Sequence, residues 1–275
     1  MEIQTLFSQL DKLPTIPKVV QELIQTFNND DADIVGVAQK IALDPVISAK
    51  VLRLVNSAHF SRGKEVTSIE DAVIRLGFNT VRTLVMASGI SSSFKHFDSF
   101  DQNAFWGDTF RVASIAKSLA KQTSHPADTA FTCAMLHNLG ELIILIADTP
   151  ENEAAITAKV DQGLTREEAE QDVLGFNYAK VGAELAKRWK FSDHFVHAIE
   201  DQLSPLEAET FNFEAGFICM ASFFNHAWQQ EWSEEEIVEH YNKALAIRLE
   251  LTLSDILNAK EAILAESKAL IELLD

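Results

Sequence analysis

Apolar residues recur with a helical period along almost the whole chain. Val20, Leu23, Ile24 and Phe27 follow one another at intervals of three and four residues, which places them on one face of a helix. Similar stripes recur from residue 3 to residue 274, and no sustained alternation of apolar and polar residues, the mark of a half-buried β-strand, interrupts them. The pattern therefore predicts an all-α protein.

Asp44-Pro45 is the strongest helix start in the first third of the chain. Aspartate is a preferred N-cap residue, and proline at the first helical position loses no hydrogen bond because that N–H has no partner within the helix. The helix that follows carries one stripe made of Val46, Ala49, Leu52 and Val55.

Further boundaries are marked by other capping residues. Ser68 can cap a helix that ends at Gly77, and Asn79 then opens another that runs to about residue 91. Thr165–Glu168 and Ser233–Glu236 both fit the capping box, in which a hydroxyl and a glutamate satisfy each other's backbone N–H groups.

The helical pattern breaks once, between residues 94 and 103, where a short polar and phenylalanine-rich segment intervenes. We therefore expect an N-terminal helical part over residues 1–93, a helical core over residues 94–205 and a C-terminal helical extension over residues 206–275. The extension carries an apolar stripe, which is either core or a partner-binding face. The stripe consists of Ile256, Ile263, Leu264, Leu270, Ile271 and Leu274.

Composition narrows the classes of function. A net charge of −18 and a pI of about 4.8 disfavour nucleic acid and anionic membrane surfaces as partners. The N-terminus has no secretory signal, and the longest uninterrupted apolar run, Leu142–Ala147, is too short to span a bilayer, so we expect a cytoplasmic protein. Cys133 and Cys219 lie in apolar helical contexts and are expected to be reduced thiols, with a single disulfide as the alternative.

The chemical candidates are histidines, because the sequence has no glycine-rich phosphate loop, nucleophile elbow or paired-cysteine motif. His137-Asn138 stands out because it lies within an apolar run. A histidine there either contacts a metal or ligand, or is a core residue hydrogen-bonded to a neighbouring helix. His194, His197 and Asp201 have a spacing that could hold an ion, although the apolar residues between them favour a solvated face.

Two blocks of sequence resemble the HDOD domain family, whose members are output modules in bacterial signalling proteins. The resemblance covers about residues 6–205. The first block is Leu13–Pro17, Asp44–Ala58 and Ser68–Gly77. The second is Phe105-Trp106, Leu136–Gly140 and Gly175–Trp189.

The resemblance implies an HD-like helical scaffold, related to metal-dependent phosphohydrolases that use an early His, a His-Asp pair and a late Asp. In this chain the early histidine falls at Asp108, and the pair is His137-Asn138. A later family histidine falls at about Tyr178, and paired histidines fall near Asp201-Gln202. Asn138 supplies one neutral oxygen where aspartate would supply a charge. The resemblance therefore implies a degenerate site, and any metal would be held by His137 and Asp108.

Three functions are open on this evidence. The first is a non-enzymatic regulatory protein without a cofactor, which binds a signalling protein or a small ligand through a vestigial pocket at Trp106, Asp108, His137 and Asn138. The second is a metal-dependent phosphohydrolase or phosphodiesterase with a reorganised site, although the Gly-Tyr-Pro motif of active cyclic-dinucleotide relatives does not occur. The third is a purely structural scaffold.

Overall fold

The computed structural model describes residues 2–10, 14–25, 34–57, 60, 65–94 and 101–271. Within these ranges, the segments whose apolar residues recur at helical intervals form helices. These ranges contain α-helices and no β-strand, so the all-α prediction is confirmed. The expected junction between residues 94 and 103 falls mostly outside the described residues. Within this junction, Phe94 is buried. Asp101 caps the helix that follows, because its carboxylate accepts a hydrogen bond from the Ala104 N–H.

The N-terminal part forms six helices within the described ranges, two of which begin directly after a predicted capping residue, Asp44 or Ser68. The six helices are α1 (Ile3–Ser8), α2 (Lys18–Gln25), α3 (Ile34–Ala42), α4 (Pro45–Val55), α5 (Ile69–Leu76) and α6 (Phe78–Ser93). Asp44 accepts hydrogen bonds from the N–H groups of Val46 and Ile47, as its place before Pro45 predicts. Gly77 ends α5 with a φ of 85°, a backbone conformation that favours glycine, and α6 begins one residue earlier than Asn79.

The apolar stripe predicted for α4 is not the side of the helix that faces the core. Of the predicted stripe, Val55 is buried and Leu52 half-buried, but Val46 and Ala49 are exposed. The buried side of the helix is built on Ile47, Val51, Leu54 and Val55. Apolar residues occur all round α4, so periodicity alone could not select the side that faces the core.

The middle of the chain forms seven helices, of which the first is the longest. They are α7 (Gln102–Gln122), α8 (Ala127–Leu136), α9 (Leu139–Ala147), α10 (Pro150–Asp161), α11 (Arg166–Leu174), α12 (Tyr178–Arg188) and α13 (Asp193–Glu200). The capping box at Thr165–Glu168 forms as predicted and starts α11. Helix α7 packs against α8, and α12 packs against both α9 and α13.

The last four helices complete the fold. They are α14 (Phe213–Gln229), α15 (Glu234–His240), α16 (Lys243–Arg248) and α17 (Leu253–Ile271). Helices α14 and α17 both pack along α7, and Lys117 on α7 pairs with Glu266 on α17 at 3.0 Å. Ile256, Ile263 and Leu270 are buried, so the C-terminal stripe is core. Leu274 lies outside the described residues.

One stretch, Ala127–Ala147, has the length and mean hydropathy (1.7) of a membrane span. It comprises α8, the His137-Asn138 corner and α9, and 78% of the span-length window is buried inside the protein. Burial on this scale is typical of a helical segment in a protein core. A cytoplasmic location stays a prediction.

Candidate functional site at the His137-Asn138 corner

The corner between α8 and α9 turns the side chains of His137 and Asn138 inward. Helix α8 ends at Leu136 and α9 begins at Leu139, so both residues lie at the break. Their exposed fractions are 7% and 8%, which means that each polar side chain needs partners within the protein.

His137 finds its partner on its own helix. Its Nδ1 lies 2.6 Å from the carbonyl oxygen of Ala134, and because a carbonyl only accepts, Nδ1 carries the proton and Nε2 keeps its lone pair. Burial lowers the pKa of His137 to about 4, although the Ala134 carbonyl and the charge of Asp108 oppose this shift. The imidazole is therefore neutral at physiological pH.

The backbone of the corner is fixed by Gln202. Its Nε2 donates to the carbonyl oxygen of His137 and to that of Ile199, both at 2.8 Å. Gln202 is buried and lies just beyond the end of α13. The resemblance places the family's paired histidines near this position. In this chain the side-chain amide of Gln202 lies there and holds the backbone of the corner.

Asn138 is engaged by Thr109 on α7. Its Nδ2 donates to the Thr109 hydroxyl at 2.9 Å, and the same hydroxyl lies 3.2 Å from Asn138 Oδ1 and 2.8 Å from the carbonyl oxygen of Phe105. The hydroxyl has one hydrogen to give, so it accepts from Asn138 and donates to one of the two oxygens. The amide thus links the corner to α7.

Asp108 lies one residue before Thr109 on the same helix and is half exposed. Its carboxylate pairs with Arg111 and accepts a hydrogen bond from Gln229 Nε2. Arg111 in turn donates to Asn225 Oδ1 at 3.0 Å. Gln229 and Asn225 both belong to α14, so the C-terminal extension supplies one partner of Asp108 and one partner of Arg111.

Trp106 lies in the aromatic core and is fully buried. Its ring centroid is 5.2 Å from that of Phe105, 6.1 Å from that of Phe94 and 6.4 Å from that of Phe110. Its indole N–H makes no hydrogen bond with any described residue. Trp106 therefore contributes packing at this place, whereas Asp108, His137 and Asn138 form the polar group.

An acidic cluster lies beside the corner, around Arg166. Its guanidinium group pairs with Glu153 at 2.9 Å, Glu170 at 3.0 Å and Glu141 at 3.4 Å. Glu170 is fully buried and also accepts from the N–H of Tyr178 at 2.7 Å. Burial raises the pKa of Glu170 to about 7, although the charge of Arg166 partly offsets the shift.

The residues of this corner do not fit a catalytic metal. A hydrolytic divalent ion needs several firm ligands and an open position. Asn138 is bonded to Thr109, Asp108 is paired with Arg111, and His137 offers only Nε2. Across the described residues, no group of three or more His, Cys, Asp and Glu side chains has the arrangement of a metal site.

The second histidine group consists of His194 and His197 with Asp201. These three residues do not form the ion site that their spacing could allow. His194 pairs with Glu214 on α14, with 3.0 Å between Nε2 and Oε2, and Glu214 is buried. His197 is exposed and Asp201 is half buried, as a solvated face requires. The two cysteines are free, as expected, with Cys133 buried and Cys219 half buried.

Sequence reasoning missed Arg111, Asn225 and Gln229, which complete the surroundings of Asp108. It also missed Glu141, one helical turn after His137, and its partner Arg166. The only available signal was the i,i+3 spacing of Asp108 and Arg111, which is typical of a helical ion pair.

The all-helical fold and the corner at His137-Asn138 define a protein of the HD-like class. The HDOD domain family matches residues 13–205, and the chain therefore belongs to this family. An HDOD domain protein of unknown function from Geobacter sulfurreducens has a structure that superposes with a TM-score of 0.83 at 25% identity, over 98% of this chain and 96% of that chain.

A second solved structure, from Shewanella amazonensis SB2B, is provisionally named a phosphohydrolase. It is 36% identical, with a TM-score of 0.82 and 98% of both chains covered. A curated but uncharacterised protein of Treponema pallidum (strain Nichols) is 27% identical over 194 residues, which is 70% of this chain but 37% of that protein. The chain thus spans about a third of the length of the curated relatives that it matches.

Proposed function

We propose that the chain is a non-enzymatic regulatory module of bacterial signal transduction, which acts by binding a protein or a small ligand. One observation carries the proposal: the polar groups at the family's metal positions are bonded to other parts of this protein. Asn138 is bonded to Thr109, and Asp108 is bonded to Arg111 and Gln229.

This arrangement is poorly suited to hydrolysis. Freeing Asp108 for a metal would leave the Arg111 guanidinium without its carboxylate, and turning Asn138 away would leave the Thr109 hydroxyl without its amide. Losing a partner costs about 1–3 kcal/mol for the buried Thr109–Asn138 pair, and less for the partly exposed Asp108–Arg111 pair. Metal binding would have to supply that free energy before any water could be activated.

The proposal is tested by elemental analysis of protein purified without a histidine tag or chelators. We expect Fe, Mn and Zn far below one equivalent, and no difference between the parent and a His137→Ala variant. A stoichiometric metal that disappears in His137→Ala would contradict the proposal.

A metal-dependent phosphohydrolase or phosphodiesterase is the second candidate. It is favoured by the lone pair of His137 Nε2 and by the provisional name of the Shewanella structure. The test is turnover of a panel of nucleotides and phosphoesters in the presence of Mn, Mg, Fe or Ni. Activity that His137→Ala abolishes would establish this function, whereas an inert protein would exclude it.

The partner is expected to be a signalling protein, with a small ligand at the corner as the alternative. A small ligand would raise the melting temperature by an amount that depends on its concentration. Trp106, His137 and Asn138 are almost completely buried, so such a ligand would have to open the corner. Surface binding of a protein needs no such rearrangement.

A further inference from the structure

Large apolar side chains are exposed at the corner where α3 meets α4. The exposed fractions are 82% for Leu43 and 59% for Val46. Scattered exposed apolar residues are ordinary, but clustering within about one helical turn of a corner is typical of an interaction site.

Leu43 lines an open groove of about 460 Å³ between this corner and α2. We call it the α2–α4 groove. It is lined by Lys18, Val19, Glu22, Lys40, Leu43, Asp44 and Pro45. Val19, Leu43 and Pro45 are the apolar residues of the lining, and the other four are charged.

The exposed side of α4 extends the groove. Val46, Ala49 and Arg53 have i, i+3 and i+7 spacing, so they lie on one face of the helix, and all three are exposed. The surface therefore combines an apolar strip with a cation at each end, Lys18 or Lys40 near the groove and Arg53 along α4.

The uncompensated charge of this surface is positive. Glu22 is paired with Lys40 at 2.7 Å, and Asp44 is held by the first N–H groups of α4. Lys18 has an exposed side chain and only a long contact of 3.9 Å with Glu22, and Arg53 has no ion pair with a described residue.

The rest of the chain has the opposite character. Residues 1–93 contain 9 Lys and Arg against 10 Asp and Glu, whereas residues 94–275 contain 14 against 31. An acidic partner is therefore repelled by most of the protein and is repelled far less by the N-terminal part, where Lys18 and Arg53 can attract it locally.

We infer that the α2–α4 groove and the exposed face of α4 form the docking surface for an amphipathic helix of a partner protein, one whose apolar stripe is flanked by Asp and Glu. The inference rests on the proposed regulatory function and specifies where and what the module binds. An amphipathic helix matches the elongated apolar strip, since such helices place apolar side chains in a groove at intervals of three and four residues. Acidic flanks match Lys18 and Arg53.

The test uses two synthetic helical peptides of about 18 residues, five turns, with the same leucine stripe. One has glutamate at the flanking positions and the other has lysine. Binding of each fluorescently labelled peptide to the full chain is measured by anisotropy. The variants are Leu43→Glu and a matched control, Ile247→Glu, which makes the same change at a position that is 78% exposed in the acidic part of the chain.

We expect the glutamate peptide to bind at least about tenfold more tightly than the lysine peptide, despite the net charge of −18. Leu43→Glu should weaken its binding by about tenfold or more, and Ile247→Glu should leave it unchanged. Circular dichroism establishes that both variants are folded.

Three results would overturn the inference: tighter binding of the lysine peptide, equal effects of the two variants, or no binding of the glutamate peptide. A concentration-dependent increase in mass by light scattering that Leu43→Glu abolishes would also overturn it, because a second copy of the chain would then cover the surface. None of these results changes the metal content or phosphoester turnover, so the proposed function is judged separately.

Discussion

Gly140 on α9 lies in backbone contact with Gly182 on α12. A Cβ placed on Gly140 would lie 2.5 Å from the Gly182 nitrogen and 1.9 Å from the carbonyl oxygen of Tyr178. Both distances are shorter than any ordinary van der Waals contact, and both neighbours are backbone atoms that cannot rotate away. The close approach holds α12 against the helix that follows the His137-Asn138 corner.

Gly140→Ala should therefore be strongly destabilising. The added methyl group must push two helix backbones apart, and we expect a cost at the upper end of the range for overpacking, about 3 kcal/mol. Urea unfolding measures the change. Gly107→Ala is the matched control, because its Cβ would meet no atom closer than 3.7 Å, so we expect unchanged or slightly higher stability. Equal stability of the two variants would show that α9 and α12 are not in contact.

Asn138→Asp, which restores the carboxylate of the family's pair, should not restore a metal site. Asp108 stays paired with Arg111, and the new side chain loses the N–H that Asn138 donates to Thr109. We expect metal content to stay far below one equivalent and stability at neutral pH to fall by about 1–3 kcal/mol. Elemental analysis and thermal unfolding measure the two quantities. One equivalent of bound metal would mean that the missing charge at position 138 was the only obstacle.

Ile256→Ala should show that α17 belongs to the core. Ile256 is fully buried, and removing three carbon atoms from such a site costs about 2–5 kcal/mol. Glu261→Ala, at an exposed position of the same helix, should change stability by less than about 0.5 kcal/mol. If denaturant midpoints of both variants equal that of the parent, α17 does not stabilise the fold.

The His194–Glu214 pair should make stability depend on pH. The hydrogen bond to Glu214 raises the pKa of His194, although partial burial opposes it. A raised histidine pKa means that the pair contributes fully below about pH 6.5 and that its contribution is lost as the pH rises through the raised pKa. The melting temperature of the parent should therefore fall as the pH increases above about 6.5.

His194→Gln should flatten this dependence, whereas His226→Gln, at an exposed histidine, should preserve it. Glu170 adds a slope of the same sign at lower pH, because its pKa is raised to about 7. The informative quantity is therefore the difference between variant and parent at each pH. A constant difference from pH 5 to pH 9 would contradict the role of the pair.

Local signals in the sequence predicted most helices but not how they pack. Asp44, Ser68 and Thr165 cap helices within a few residues of themselves, so their effect is visible without a fold. The orientation of α4 was not visible, because Val46 and Ile47 are equally apolar, and the core that selects Ile47 is built from other helices.

Only part of the candidate site could be predicted from the sequence. The apolar run around His137 indicated that the histidine is buried, and its buried state is what the structure shows. The contact between Asp108 and Gln229 joins positions 121 residues apart, and no spacing rule connects them. His194 and Glu214 likewise meet only because α14 lies beside α13.

Because α14 and α17 pack along α7, the folded protein needs more of the chain than the part that matches the family. The family match ends at residue 205. Helix α7, which carries Trp106, Asp108 and Thr109, is covered by α14 and α17, and both of these helices lie after residue 205. A fragment trimmed to the match would expose the apolar flank of α7 and release Arg111 from Asn225. Such a fragment would attract unrelated proteins through its exposed core, so a search for the proposed partner requires the chain through residue 271.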